Sequence, residues 1–212
     1  MSARRRFMQR SAQLITSIAA WSAVDSQAQL DPAALVATIQ VRLNSSAVLR
    51  GHFEQRKKLR GFKRPVISRG SFMLARDLGM VWRTETPFAA TLTMTRAGLR
   101  AAFEPGSEPI EVQQDPGFGA VSATLLALLA GDLTVLMRNF RIDDGAADKH
   151  DWHLKLRAED AVLARVFQRV ELRGSRYVDA VRLVETSGDE STLLFSAHNA
   201  STLTSEERIL FQ

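Results

Sequence analysis

The 212 residues contain no cysteine and carry 28 Lys and Arg against 23 Asp and Glu, a formal net charge of +5. The lack of cysteine excludes disulfides, thiolate nucleophiles and cysteine-held zinc or iron–sulfur centres. With 45% hydrophobic and 24% charged residues, the chain has the make-up of a globular domain, not a disordered one, and its length suits a single core.

The N-terminus accounts for most of the charge. Arg4, Arg5, Arg6 and Arg10 precede a weakly apolar run from Leu14 to Val24, and Ser26-Gln27-Ala28 then supplies small residues for cleavage after Ala28. Basic, then apolar, then small is the layout of an export signal, so residues 1–28 are expected to be cleavable. At 11 residues the apolar run is well short of the roughly 20 needed to span a bilayer. The Arg5-Arg6-Phe7 stretch resembles a twin-arginine signal, which leaves the Sec and twin-arginine routes both open. Removal of residues 1–28 takes away four Arg and one Asp, and residues 29–212 keep a net charge of +2. Their one dense basic patch is Arg56-Lys57-Lys58 with Arg60, Lys63 and Arg64 nearby, and no nucleic-acid partner is expected from so slight an excess.

Asp31-Pro32 predicts a helix start, an N-cap carboxylate followed by proline at the first helical position. Leu35, Ile39 and Leu43 then form one apolar stripe, and Asn44-Ser45-Ser46 predicts the end near residue 46. From Val48 to about Phe103 the period changes to two. Short β-rich segments such as 68–74, 80–83 and 91–95 alternate with turn signals, which predicts an antiparallel meander. Phe72-Met73-Leu74 is apolar at both alternating positions, so both faces of that strand are expected to be covered, or one face to line an apolar cavity.

Asp115-Pro116 repeats the helix-start device. The segment from Val121 to Ala130 then offers almost no polar face before Gly131, a good residue for a helix end. Asp132 is placed to cap a further short helix carrying Leu133, Leu136 and Met137, and Asp143-Asp144-Gly145 reads as the loop that closes the helical region. Alternation returns at Trp152, Leu154 and Leu156 and continues through 170–172, 177–184 and 192–197, with Ser187-Gly188-Asp189 as a hairpin turn. Helix, strands, helices, strands, without a repeat or linker, predicts one α+β domain over residues 29–212.

Catalytic patterns are missing. His150 and His153 fall on opposite faces of a strand, and His52 and His198 are isolated. There is no nucleophile elbow, Walker motif or dinucleotide fingerprint, and Asp143-Asp144 and Asp189-Glu190 read as turn residues. Neither a metal nor a cofactor is expected, nor an enzyme. Eleven Phe, three Trp and six Met with leucine-dense helices suit either a plain core or an apolar cavity.

The order of motifs from about residue 32 to 197 resembles the LolA family of periplasmic outer-membrane lipoprotein carriers. Phe53-x-Gln55, Gly70, and Arg76 followed by Trp82 and Pro87 carry the resemblance. So do the Leu-rich helix with Gly131-Asp132, Asn139-Phe140, Trp152-x-Leu154-x-Leu156 and Thr192-Leu193-Leu194-Phe195. The chain departs from the pattern at Asp77, where family members often have proline, and in the sparse ring surface of Leu99–Phe103. The resemblance implies an unclosed, strongly curved antiparallel sheet, a half-barrel, with helices as a lid over an apolar cavity. It implies a monomeric periplasmic carrier whose cargo is acylated lipoprotein or a lipid-like molecule. The cargo would be received from an inner-membrane release complex and handed to an outer-membrane acceptor. Arg76 matches the family arginine that hydrogen-bonds the lid helix, and Phe72, Trp82, Met94, Leu125 and Leu129 are the expected cavity lining. The alternative is a LolA-like module that senses lipid or binds a protein without transferring cargo.

Overall fold

The computed structural model describes residues 31–43, 46–95, 98–103, 110–111, 124 and 126–212. The expected export signal, the Asp115-Pro116 helix start and Leu125 lie outside them. Helix α1 (Pro32–Arg42) begins as predicted: the Asp31 carboxylate accepts the Ala33 N–H at 3.0 Å, with proline in the first turn. Its end comes earlier than expected. Leu43 still donates its N–H to the Ile39 carbonyl, but an extended ψ of 128° ends the helix there. The stripe of Leu35, Ile39 and Leu43 is buried throughout.

Strands β1 (Val48–Lys58), β2 (Val66–Ala75), β3 (Gly79–Thr86), β4 (Ala90–Thr95), β5 (Leu99–Ala102) and β6 (Ile110–Glu111) form the first meander. Helical residues 126–130 (α2) and α3 (Leu133–Leu136) follow. Strands β7 (Phe140–Ala147), β8 (Trp152–Ala158), β9 (Phe167–Gly174), β10 (Val178–Glu185) and β11 (Glu190–Ser201) form the second. The sheet runs β6-β5-β4-β3-β2-β1-β11-β10-β9-β8-β7, antiparallel at every junction and unclosed, so the first and last strands meet in its middle. This is the expected α+β architecture, a curved half-barrel with helices on its concave face.

The junction between α2 and α3 is built by local sequence. Gly131 at φ 63° bonds its N–H to the Leu128 carbonyl, and Asp132 bonds back to Ala127, which together make a Schellman end. Asp132 then caps α3 by accepting the Val135 N–H at 3.0 Å. Ala127, Leu128, Leu129, Leu133 and Leu136 are all buried against the sheet, which is why this segment needs no polar face.

One local expectation is corrected and two short helices are added. Asp143-Asp144-Gly145 is part of edge strand β7, not a loop. A register shift between Ile142 and Asp144 absorbs the turn-like residues, and the carboxylates bond to Arg157 and Lys155 of β8. Gly145 is there for space, since a Cβ would lie 2.9 Å from Leu35 of α1 and 2.8 Å from Leu154. The sequence from 157 to 170 gave no expected helix, yet Asp160 accepts the N–H groups of Val162 and Leu163 and starts α4 (Ala161–Val166). After β11 the chain forms α5 (Ser205–Ile209), opened by a capping box between Thr204 and Glu207.

Helix α5 explains the strand that is apolar on both sides. Phe72 and Leu74 face the main core with α1 to α3. Met73 and Ala75, with Val48 and Val81, form a second small cluster on the convex face under Leu203 and Phe211.

Candidate functional site: the aromatic concave face

The concave face is floored by aromatic rings seated opposite glycines. In the sheet register Phe53 faces Gly70, Phe72 faces Gly51 and Trp152 faces Gly174. A Cβ at Gly70 would lie 1.9 Å from the Arg83 carbonyl oxygen and 3.0 Å from the Phe53 ring. At Gly51 it would lie 2.7 Å from the Phe72 ring, and at Gly174 2.6 Å from the Trp152 indole and 2.0 Å from the Tyr177 carbonyl oxygen. On the inside of a curled sheet side chains converge, so pairing a large ring with no side chain lets the sheet bend without a clash.

The rings then pack on one another. Phe53 stacks on Trp82 with centroids 3.8 Å apart, and Phe195 meets Phe72 edge-on at 5.5 Å and Trp82 at 6.2 Å. The floor continues to His198, 6.2 Å from Phe72 and stacked on Tyr177 at 4.5 Å with an interplanar angle of 8°. Ala197 at φ 53° and the register shift opposite Gly51 turn His198 inward. Burial pushes the His198 imidazole below its ordinary pKa, partly offset by Asp179 and a backbone bond at Val178.

Phe72, Met94 and Leu129 are buried in the main core, and Trp82 is partly buried against it, so these four expected residues share one apolar region. Leu125 lies outside the described residues. Arg76 follows β2 directly. It donates from Nε to the Ser46 carbonyl at 2.9 Å and from its backbone N–H to the Ala47 carbonyl at 3.0 Å, bonding the connection between α1 and β1.

Sequence inspection missed Gln40. From α1 its Nε2 donates to the Gly131 carbonyl and its Oε1 accepts the Leu133 N–H, both at 3.0 Å, so one side chain ties α1 to the junction of α2 and α3. The only available signal was a polar residue beside the apolar stripe. Phe195 and Tyr177 were not among the expected lining residues either. The ring packing that reveals them depends on which strands are neighbours and in what register, which the sequence does not display.

On the convex side a cleft of about 410 Å³ opens between β1–β3 and α5, lined by Arg50, His52, Met73, Val81 and Leu210 among others. A second of about 560 Å³ lies over the outward residues of β8 and β9. Among the described residues no group of three His, Asp or Glu could hold a metal ion. Also among these residues, no helix is long and apolar enough to cross a membrane.

An open antiparallel sheet with apolar helices bedded on an aromatic concave face is the frame of a half-barrel cavity protein. The chain belongs to the family described as outer membrane lipoprotein carrier protein LolA-like, whose model matches residues 23–209. That family supports a carrier type of role. Among solved structures, a LolA superfamily protein of Nitrosomonas europaea is similar at 11% identity and a TM-score of 0.49, over 85% of this chain and 96% of that one. A DUF1329 family protein of Desulfovibrio piger is similar at 8% identity and a TM-score of 0.45, over 81% and 92%. No protein of curated function matches the sequence.

Proposed function

We propose that this protein is a periplasmic carrier that holds the acyl chains of a lipoprotein, or of a similar acylated cargo, and moves them from the inner to the outer membrane. Residues 1–28 serve as its cleavable export signal. It forms no covalent bond with its cargo and uses no cofactor. The observation that carries this is the bedding of α2 and α3, helical segments of mainly apolar residues, on a floor of stacked rings.

Each methylene taken out of water contributes about 0.8 kcal/mol. Cargo that displaces the buried leucines of α2 and α3 therefore exchanges one apolar contact for another of similar size. Loaded and empty states then lie close in free energy, and a carrier needs that closeness in order to release what it binds. Phe72, Trp82, Met94, Leu125 and Leu129 line the cargo space. Arg76 holds the root of α1 and, as in the family, the closed position of the helices. The inner-membrane release complex and the outer-membrane acceptor are its partners, and it works as a monomer.

Native mass spectrometry of the protein purified from periplasm tests the proposal. Acyl-bearing cargo on a fraction of molecules is the expected result, and protein that is always empty and never loads from detergent-solubilised lipoprotein would overturn it. Arg76→Leu should leave the fold intact while changing the rate of lipoprotein transfer between donor and acceptor membranes. A wild-type rate would remove Arg76 from the mechanism.

A further inference from the structure

The strand register gathers several turns at one end of the sheet. Lys57 pairs with Val66, Thr84 with Ala90 and Thr91 with Ala102, so the β1–β2 and β3–β4 turns and the end of β5 share a rim. Lys58 pairs with Glu190, which adds the β10–β11 turn. At this rim Phe62, Phe88 and Phe103 are 67%, 82% and 61% exposed, large apolar groups that no other part of the described structure covers. Adjacent turns are separated by about 10 Å, the width of two strands.

The β1–β2 hairpin is the most prominent of them. Residues Val66 to Ser68 pair with β1 alone, because β3 joins only from Arg69, so the hairpin stands roughly 10 Å beyond β3. Its tip reads Lys57-Lys58-Leu59-Arg60-Gly61-Phe62-Lys63-Arg64, the basic patch that the cavity leaves unused. Of the carboxylates around it, Glu185 pairs with Lys57 and Glu190 with Arg182, while Asp189 accepts the Arg60 backbone N–H and keeps its charge. Among the described residues Lys63 and Arg64 make no ion pair, and both are exposed.

We infer that this rim is a docking surface for an anionic phospholipid bilayer. Separated phenylalanines on convex turn tips form no groove for a protein segment, but they suit insertion into the headgroup region, where apolar area and attraction to anionic lipid act together. Lys58, Lys63 and Arg64, exposed on the same hairpin as Phe62, meet the lipid phosphates, while Arg60 turns its guanidinium to the Ser187 carbonyl. Each basic group near an anionic surface is worth about 1 kcal/mol, or about fivefold in partitioning, and is screened by salt. The inference is independent of what the concave face carries.

The absence of cysteine makes the test direct. In the full chain, Phe62→Cys, Phe88→Cys and Arg176→Cys are each labelled with an environment-sensitive fluorophore. Arg176 is exposed in the β9–β10 turn at the opposite end of the sheet. Vesicles of phosphatidylethanolamine and phosphatidylglycerol should shift the emission of the labels at 62 and 88 to the blue, but not that at 176. The shift should be absent with phosphatidylcholine vesicles and reversed by roughly 0.5 M salt, where the Debye length is about 4 Å. Adding Lys63→Glu and Arg64→Glu should weaken the response at 88 by roughly 25-fold or more in lipid concentration. Labels at 62 and 88 that ignore anionic vesicles, or that respond equally to neutral ones or equally in the charge-reversed variant, overturn the inference. So does an equal response at 176, which would assign binding to another part of the chain.

Discussion

Phe53 and Gly70, Phe72 and Gly51, and Trp152 and Gly174 make the concave face smooth by giving each large ring an empty neighbour. The three glycines are not equivalent. At Gly70 a Cβ would lie 1.9 Å from the backbone carbonyl oxygen of Arg83, whereas at Gly51 the overlap is shallower, 2.7 Å to the Phe72 ring and 2.8 Å to the Ser196 carbonyl oxygen. Gly70→Ala should therefore cost about 3 kcal/mol of stability and Gly51→Ala less, as read from denaturant midpoints. An equal or reversed order would show that ring packing, not strand approach, limits these positions. His198 carries a separate consequence. Its folded pKa lies below the ordinary 6.5 because the ring is buried. As pH falls through the ordinary value the unfolded chain takes up a proton that the native one does not, so stability decreases on acidification. The melting temperature should drop between pH 7 and 5, and His198→Phe should flatten that drop, since carboxylates such as Glu207, held below the usual range by Arg50, titrate only at lower pH.

At the scale of elements, one amide holds the helices in place. Gln40→Ala leaves the Gly131 carbonyl and the Leu133 N–H without their partner, which costs about 1–3 kcal/mol. The loss should be concentrated locally: hydrogen exchange at Leu133 should quicken much more than at β1 or β11. Uniform acceleration across the sheet would mean that the helices and sheet open as one unit. The elements also show what sequence can and cannot convey. The cap at Asp31, the end at Gly131, the cap at Asp132 and the hairpin at Ser187-Gly188-Asp189 were legible because each depends on a few adjacent residues. The same local logic misled at Asp143-Asp144-Gly145, where a bulge and cross-strand cations turn turn-forming residues into an edge strand. Helices α4 and α5 had local signals too, in Asp160 and in Thr204 with Glu207, but they are too short for an apolar period to announce them. That Phe72, Trp82 and Met94 share one apolar region could be expected from motif order. The rings of Phe195 and Tyr177 required knowledge of which strands are neighbours.

Over the whole molecule the concave core and the exposed rim are separate regions of one sheet. The core joins α1, α2 and α3 to the sheet through apolar contact, with Gln40 as a polar clamp between helices. If cargo replaces those helices, loading should raise hydrogen exchange across 126–136 while the β1–β3 region stays protected. Protection that increases throughout would place the cargo elsewhere. A last consequence follows from the pairing of β1 with β11. Phe53 faces Phe195, a contact between positions about 140 residues apart, and it lies at the centre of the ring floor. Each meander can form from near neighbours, but the seam between them must wait for the final strand to arrive. Folding that depends on so distant a contact is slow, and it cannot be completed by an emerging N-terminal portion. The floor on which the helices rest is therefore the last part to be assembled, once nearly all of the polypeptide is available.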